Sequence, residues 1–122
     1  MESVLRPLTQ QEELWIREIL DGHPRWTGVR AASVTVVAEL VEGNARTMRL
    51  WADTPAEGLS GTRGYIGRLA IRTTDNFGIT VTLDHREGFL CEMYVDFLDL
   101  EEKGDRPPPE DWEELAHLHT KM

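Results

Sequence analysis

The chain has 122 residues and a mass of 13.9 kDa, with 13 Lys plus Arg against 22 Asp plus Glu, a formal charge of −9. That length fits a single domain, residues 1–122, able to bury a core unaided, and the lone Cys91 excludes both an intramolecular disulfide and a multi-cysteine zinc site. The acidic balance argues against nonspecific nucleic-acid binding, no apolar run nears the ~20 residues of a membrane-spanning helix, and the acidic start has no signal-peptide core, so the expected compartment is cytoplasmic.

The first predicted element is a helix. Thr9-Gln10-Gln11-Glu12 has the form of a capping box, in which hydroxyl and carboxylate each satisfy a backbone N–H at the helix start. Leu14, Trp15, Ile16, Ile19 and Leu20 follow as an apolar stripe. Gly22 and Pro24 are natural stops, so the helix spans 10–21. Residues 23–32 read as an irregular approach. From Ser33 the period changes to two, with Val34, Val36, Ala38 and Leu40 on one face and Thr35, Val37 and Glu39 on the other.

A return strand over Arg46–Trp51 makes a hairpin. A three-residue turn, Gly43–Ala45, pairs Leu40 with Met48 and Glu39 with Arg49; a two-residue turn puts Leu40 opposite Thr47. The first is preferred because it matches like with like and opposite charges with each other. Ala52–Arg63, with Pro55, Gly58 and Gly61, is a long surface loop and a candidate mobile segment. A third strand covers Tyr65–Thr73, with Leu69 and Ile71 inward and Arg68 and Arg72 outward. Asp75–Gly78 is a turn, and Ile79, Val81 and Leu83 form the inner face of a fourth strand. Arg86-Glu87-Gly88 suits a three-residue turn into a fifth strand. There Phe89, Cys91, Met93, Val95 and Phe97 point inward, alternating with Leu90, Glu92, Tyr94 and Asp96.

Residues 99–109 are acidic and proline-rich, and 110–119 suit a short helix with early carboxylates at its positive end. The sum is a two-layer α+β domain, an amphipathic N-terminal helix on a roughly five-stranded antiparallel meander (33–98), closed by that C-terminal helix.

The charge is unevenly placed. Residues 84–122 hold 4 basic and 12 acidic side chains, a sum of 4 − 12 = −8, which leaves −1 for the rest. The carboxylates of Asp96, Asp99, Glu101, Glu102, Asp105, Glu110, Asp111 and Glu114 are therefore the candidate surface for docking a basic protein, beside their plainer role in solubility.

The outer sheet face gathers Arg68, Arg72, Thr80, Thr82, Glu92, Tyr94 and Asp96, with Thr82 expected opposite Glu92 and Thr80 between Arg72 and Tyr94. Its ordinary reading is a solvated face with cross-strand ion pairs; Tyr and Arg also suit a binding surface, for a protein, a small molecule or a metal ion. Nucleic-acid mimicry by the carboxylates is a further reading. His23, His85, His117 and His119 lack metal-site spacing and read as surface histidines. Cys91 reads as a buried structural thiol. Gly61-Thr62-Arg63-Gly64 with Gly67 precedes a strand and lacks the phosphate-loop ending, so it reads as a flexible turn. Trp15 and Trp112 suit helix docking, and Trp26 and Trp51 suit lids on the core ahead of anchors for a partner. No catalytic residue, metal ligand or cofactor is assigned, and the expectation is a protein that is not an enzyme.

Arg6-Pro7-Leu8-Thr9-x-x-Glu12 with the helix after it, Gly78–Leu83, and Gly88-Phe89-Leu90-x-Glu92-x-Tyr94-Val95 together resemble a bacterial family of small uncharacterised domains. Members carry a cysteine cluster near the first hairpin. Here that stretch reads Glu39-Leu40-Val41-Glu42-Gly43-Asn44, so the resemblance implies no metal role. In profile the chain is also similar to immunity proteins of bacterial toxin systems, which are small, acidic, cytosolic and noncatalytic.

Overall fold

The computed structural model describes residues 1–26, 28–43, 45–56, 58–59, 61–73, 77–99 and 119–121; for 72, 73, 77, 98, 99 and 119–121 only the backbone is described. One helix, α1 (Gln10–Asp21), packs on an antiparallel sheet of six strands: β1 (Glu2–Pro7), β2 (Thr35–Glu42), β3 (Ala45–Trp51), β4 (Arg63–Thr73), β5 (Phe77–Arg86) and β6 (Phe89–Asp99). A short strand, β7 (His119–Lys121), adds to the edge beside β4. The helix expected over 110–119 lies outside the described residues except for its last position, His119, which is paired in β7 with Thr73.

Helix α1 has the expected bounds because local chemistry fixes both ends. The Thr9 hydroxyl accepts the N–H of Glu12 at 3.2 Å, and a Glu12 carboxylate oxygen accepts the N–H of Thr9 at 2.8 Å. Gly22 ends the helix with its N–H on the Leu20 carbonyl, in right-handed geometry (φ −78°) instead of the left-handed turn that glycine usually supplies there. The stripe Trp15, Ile16, Ile19 and Leu20 is buried against β4, β5 and two 3₁₀ turns, Pro24–Trp26 and Ala31–Ser33. Helix and sheet approach closely at Gly67. A Cβ there would stand 2.7 Å from His23 Nε2 and 2.8 Å from Ile19 Cγ2.

The sheet is not the expected five-stranded meander. Its order is β1-β2-β3-β6-β5-β4, so the chain crosses from β3 to the far edge and returns through β5 to place β6 against β3. β1 is an additional edge strand, pairing Arg6 with Val36 and Ser3 with Ala38 around an irregularity. Phe77 and Gly78 belong to β5 instead of the turn before it. On the inner face, Ile79, Val81 and Leu83 of β5 are buried as expected, with Met93, Val95 and Phe97 of β6 and Met48 of β3. At about 1.5–3 kcal/mol for each large apolar side chain, these rows and the helix stripe supply the main stabilisation.

Bulges shift the period-two pattern. In β2, Val36 pairs with Leu50 and Ala38 with Arg49, which leaves Val37 extra. Glu39 therefore lies opposite buried Met48 on the inner face, and Leu40 lies opposite Thr47 on the outer face. The preferred three-residue turn is thus corrected to the two-residue connection 43–44, with Glu42 paired to Ala45. In β6, Asp84 pairs with Glu92 but His85 with Leu90, so Cys91 is the extra residue. Leu90 is buried in its place and Cys91 is only half-buried. The turn before it holds two residues, Glu87 (φ 55°) and Gly88 (φ 87°), both left-handed, as tight antiparallel hairpins require.

His85 is likewise buried. Its Nδ1 accepts the N–H of Gly88 at 3.2 Å, and its ring lies 5.4 Å from that of buried Trp26. The loop from Ala52 to Thr62 is tied down at described points: Ala52 and Ala56 are buried, the Ala56 N–H meets the Gly88 carbonyl, and the Thr62 carbonyl accepts the Glu87 N–H. Trp26 lids the core, whereas Trp51 is 56% exposed and does not. Trp112 lies outside the described residues.

Candidate functional site

The outer face of the sheet lies opposite the layer of α1. Its centre is β6, flanked by β3 and β5. Residues directly opposite in an antiparallel ladder share a face, so the registers define rows. One row runs Leu40, Thr47, Tyr94, Thr82, Arg68 from β2 to β4. The next runs Arg49, Glu92, Asp84, Tyr65, and a third runs Ala45, Asp96, Thr80, Ala70. The expected outward positions of Arg68, Thr80, Thr82, Glu92, Tyr94 and Asp96 are therefore met, but their neighbours differ. Thr82 faces Tyr94 instead of Glu92, and Thr80 lies between Ala70 and Asp96 instead of between Arg72 and Tyr94. The cause is the tight turn at Glu87-Gly88, with the bulge at Cys91 taking up one residue. Arg72 is paired through its backbone with Gly78.

Tyr94 is thus the central side chain of the open face, 39% exposed, with Glu92 and Asp96 on either side along the strand. Leu40 (39%) on β2 and Tyr65 (62%) on β4 add exposed apolar area two strands to either side. A tyrosine flanked by carboxylates offers an apolar body, a hydroxyl and negative charge within a few ångströms, which suits protein contact better than proton transfer. Of the carboxylates proposed for docking, Asp96 is on this face and Asp99 ends β6 opposite Phe77. Glu101, Glu102, Asp105, Glu110, Asp111 and Glu114 lie outside the described residues.

The inner face contains a charged cluster that the sequence reading did not anticipate. Arg6 of β1 donates from both terminal nitrogens to the Glu12 carboxylate, at 2.7 and 3.0 Å. It also reaches Glu39 at 3.4 Å, and Arg46 of β3 reaches the same Glu39 oxygen at 3.3 Å. Glu12 is fully buried, while the Arg6 side chain is 26% exposed. The hydrogen bond to Glu12 raises the Arg6 pKa, and burial lowers that of Arg46. This cluster ties β1, the start of α1, β2 and β3 together. It also gives a physical reason for the spacing Arg6-x-Leu8-Thr9-x-x-Glu12. Glu12 serves the helix cap and Arg6 at once, and that double use was the available signal.

Cys91 is a poor nucleophile where it stands. Burial, helped by the carboxylates of Asp84 and Glu92, raises its thiol pKa, whereas reactive thiols are electropositive and lowered. Among the described residues no group of His, Cys, Asp and Glu is placed to hold a metal ion. No helix among them is long and apolar enough to cross a membrane. Comparison with known proteins finds no matching family model, curated protein or solved structure.

Proposed function

We propose that the chain is a noncatalytic protein-binding domain, an immunity-type inhibitor that docks a basic bacterial toxin. The observation that carries this reading is the open centre of the sheet, where exposed Tyr94 stands between Glu92 and Asp96 with Leu40 and Tyr65 nearby. Interfaces favour an aromatic anchor with a polar surround, and carboxylates beside it select a positive partner and speed encounter. The sequence adds negative charge at the end of β6, with Asp99, and after it, at Glu101, Glu102, Asp105, Glu110, Asp111 and Glu114. The inhibitor blocks its target by covering it.

The test is capture from the native host by the full chain and by two face variants, Tyr94→Ala and Glu92→Lys/Asp96→Lys. A basic protein retained at low salt by the parent and lost by both variants supports the reading. Retention by the variants, or no basic protein at low salt, refutes it.

A further inference from the structure

One end of the outer face holds a groove that borders the docking centre at Glu92 and extends away from Tyr94. Arg49, Arg63, Arg86 and Glu92 line a hollow of about 430 Å³. Trp51, Phe89 and, at the turn, Glu87 border an adjoining hollow of about 310 Å³. Leu50, Arg86 and Cys91 belong to both, so the two are lobes of one groove. The groove exists because the β3–β6 ladder runs only from Ala45↔Asp96 to Arg49↔Glu92, and β6 bulges at Cys91 just beyond. Past that point the strands part. Together the lobes reach the size of an ordinary small-ligand site, roughly 300–1,000 Å³.

The polar lobe is cationic in an acidic protein: three guanidinium groups and one carboxylate, 3 − 1 = +2, in a chain of −9. Arg63 and Arg86 are directly opposed in the β4–β5 ladder. Like charges so placed destabilise a sheet unless something neutralises them. Among the described residues the ion-paired arginines are Arg6, Arg17 and Arg46, and the groove's three are not among them. Arg49 has Glu92 opposite it, which leaves the Arg63–Arg86 pair as the one without a carboxylate across the ladder. Guanidinium forks match the oxygens of phosphate and carboxylate. Trp51 and Phe89 are both exposed and offer ring faces to a planar group.

We propose that this groove binds a small organic anion, an aromatic ring bearing a phosphate or a carboxylate, with the oxyanion between Arg63 and Arg86 and the ring against Trp51 and Phe89. The site meets the docking centre at Glu92 but does not use Tyr94.

The experiment titrates the full chain with adenosine 5′-monophosphate and, separately, with indole-3-acetate at low salt, followed by amide chemical shifts. Saturable shifts below about 1 mM (about −4 kcal/mol) in either titration support the site, and the probe that binds identifies the oxyanion. Arg63→Ala/Arg86→Ala weakens binding at least tenfold without lowering the urea midpoint, because it removes a repulsion. Arg86→Gln alone weakens it severalfold, Trp51→Ala weakens it severalfold, and Tyr94→Ala leaves it unchanged. No saturable shift with either probe, or equal affinity in the Arg63→Ala/Arg86→Ala and Arg86→Gln variants, overturns the proposal.

Discussion

Replacing Arg6 by Met tests how the charged cluster holds the fold. The substitution keeps an apolar stem of similar length but leaves Glu12, which is fully buried, without either of its 2.7 and 3.0 Å guanidinium bonds. Breaking a buried pair from one side costs about 3–5 kcal/mol. Arg6 keeps 26% of its side chain in solvent, and water partly screens the pair, so the expected loss is about 2–4 kcal/mol. Glu12→Gln costs less, about 1–2 kcal/mol, because its amide oxygen still caps Thr9 and Arg6 retains Glu39. In the double variant neither charge is stranded, so the two losses do not add, and the coupling is at least about 1 kcal/mol. Urea unfolding followed by the fluorescence of buried Trp15 and Trp26 measures all four chains. At about 1–3 kcal/mol per molar urea, Arg6→Met lowers the midpoint by roughly 1 M or more. A shift within error, or single losses that simply sum, refutes the claim that the pair acts as a unit.

Further consequences follow from single contacts. Gly67→Ala loses about 1–3 kcal/mol because its methyl meets His23 and Ile19, and His23→Ala in the same chain recovers part of that in a thermal melt. Glu87→Asn raises the melting temperature, by about 0.5–1 kcal/mol of stability, since asparagine tolerates the left-handed φ of 55° better than glutamate. A fall in stability there contradicts the turn assignment. The raised thiol pKa of Cys91 means that the unfolded chain ionises first as pH rises above about 8.5, so alkaline pH favours unfolding. Native alkylation therefore reaches half-maximal rate at higher pH than in the urea-unfolded chain, and Cys91→Ala removes that part of the alkaline loss.

What could be read from the residues depended on how local the determining physics was. Helix α1 was legible to the residue because Thr9, Glu12 and the apolar stripe fix it without help from distant chain. The inner face of β5 was legible because Ile79, Val81 and Leu83 alternate without interruption. Bulges at Val37 and Cys91 reset the alternation, and nothing in those residue types announces them. One inserted residue turned Glu39 inward and Leu40 outward, and another exchanged Cys91 for Leu90 in the core. β1 was missed because Glu2–Pro7 has no strong pattern of its own; it is held by the β2 ladder and by Arg6 reaching Glu12. The β3–β6 pairing joins segments separated by two whole strands, which local periodicity does not encode. For the candidate site, the outward set on β6 was right because alternation from Glu92 to Asp96 is unbroken. Its cross-strand neighbours were wrong because turn length sets register.

The measurement that bears most directly on the proposed function is the affinity of the captured basic protein for the full chain, followed from 50 to 500 mM salt, for the parent and for Tyr94→Ala. Docking through this face requires affinity that falls steadily with salt in both, and a loss of at least about 2 kcal/mol, some thirtyfold, in Tyr94→Ala at every salt concentration. An affinity indifferent to salt, or a Tyr94→Ala chain that binds as tightly as the parent, contradicts docking through the open face of the sheet.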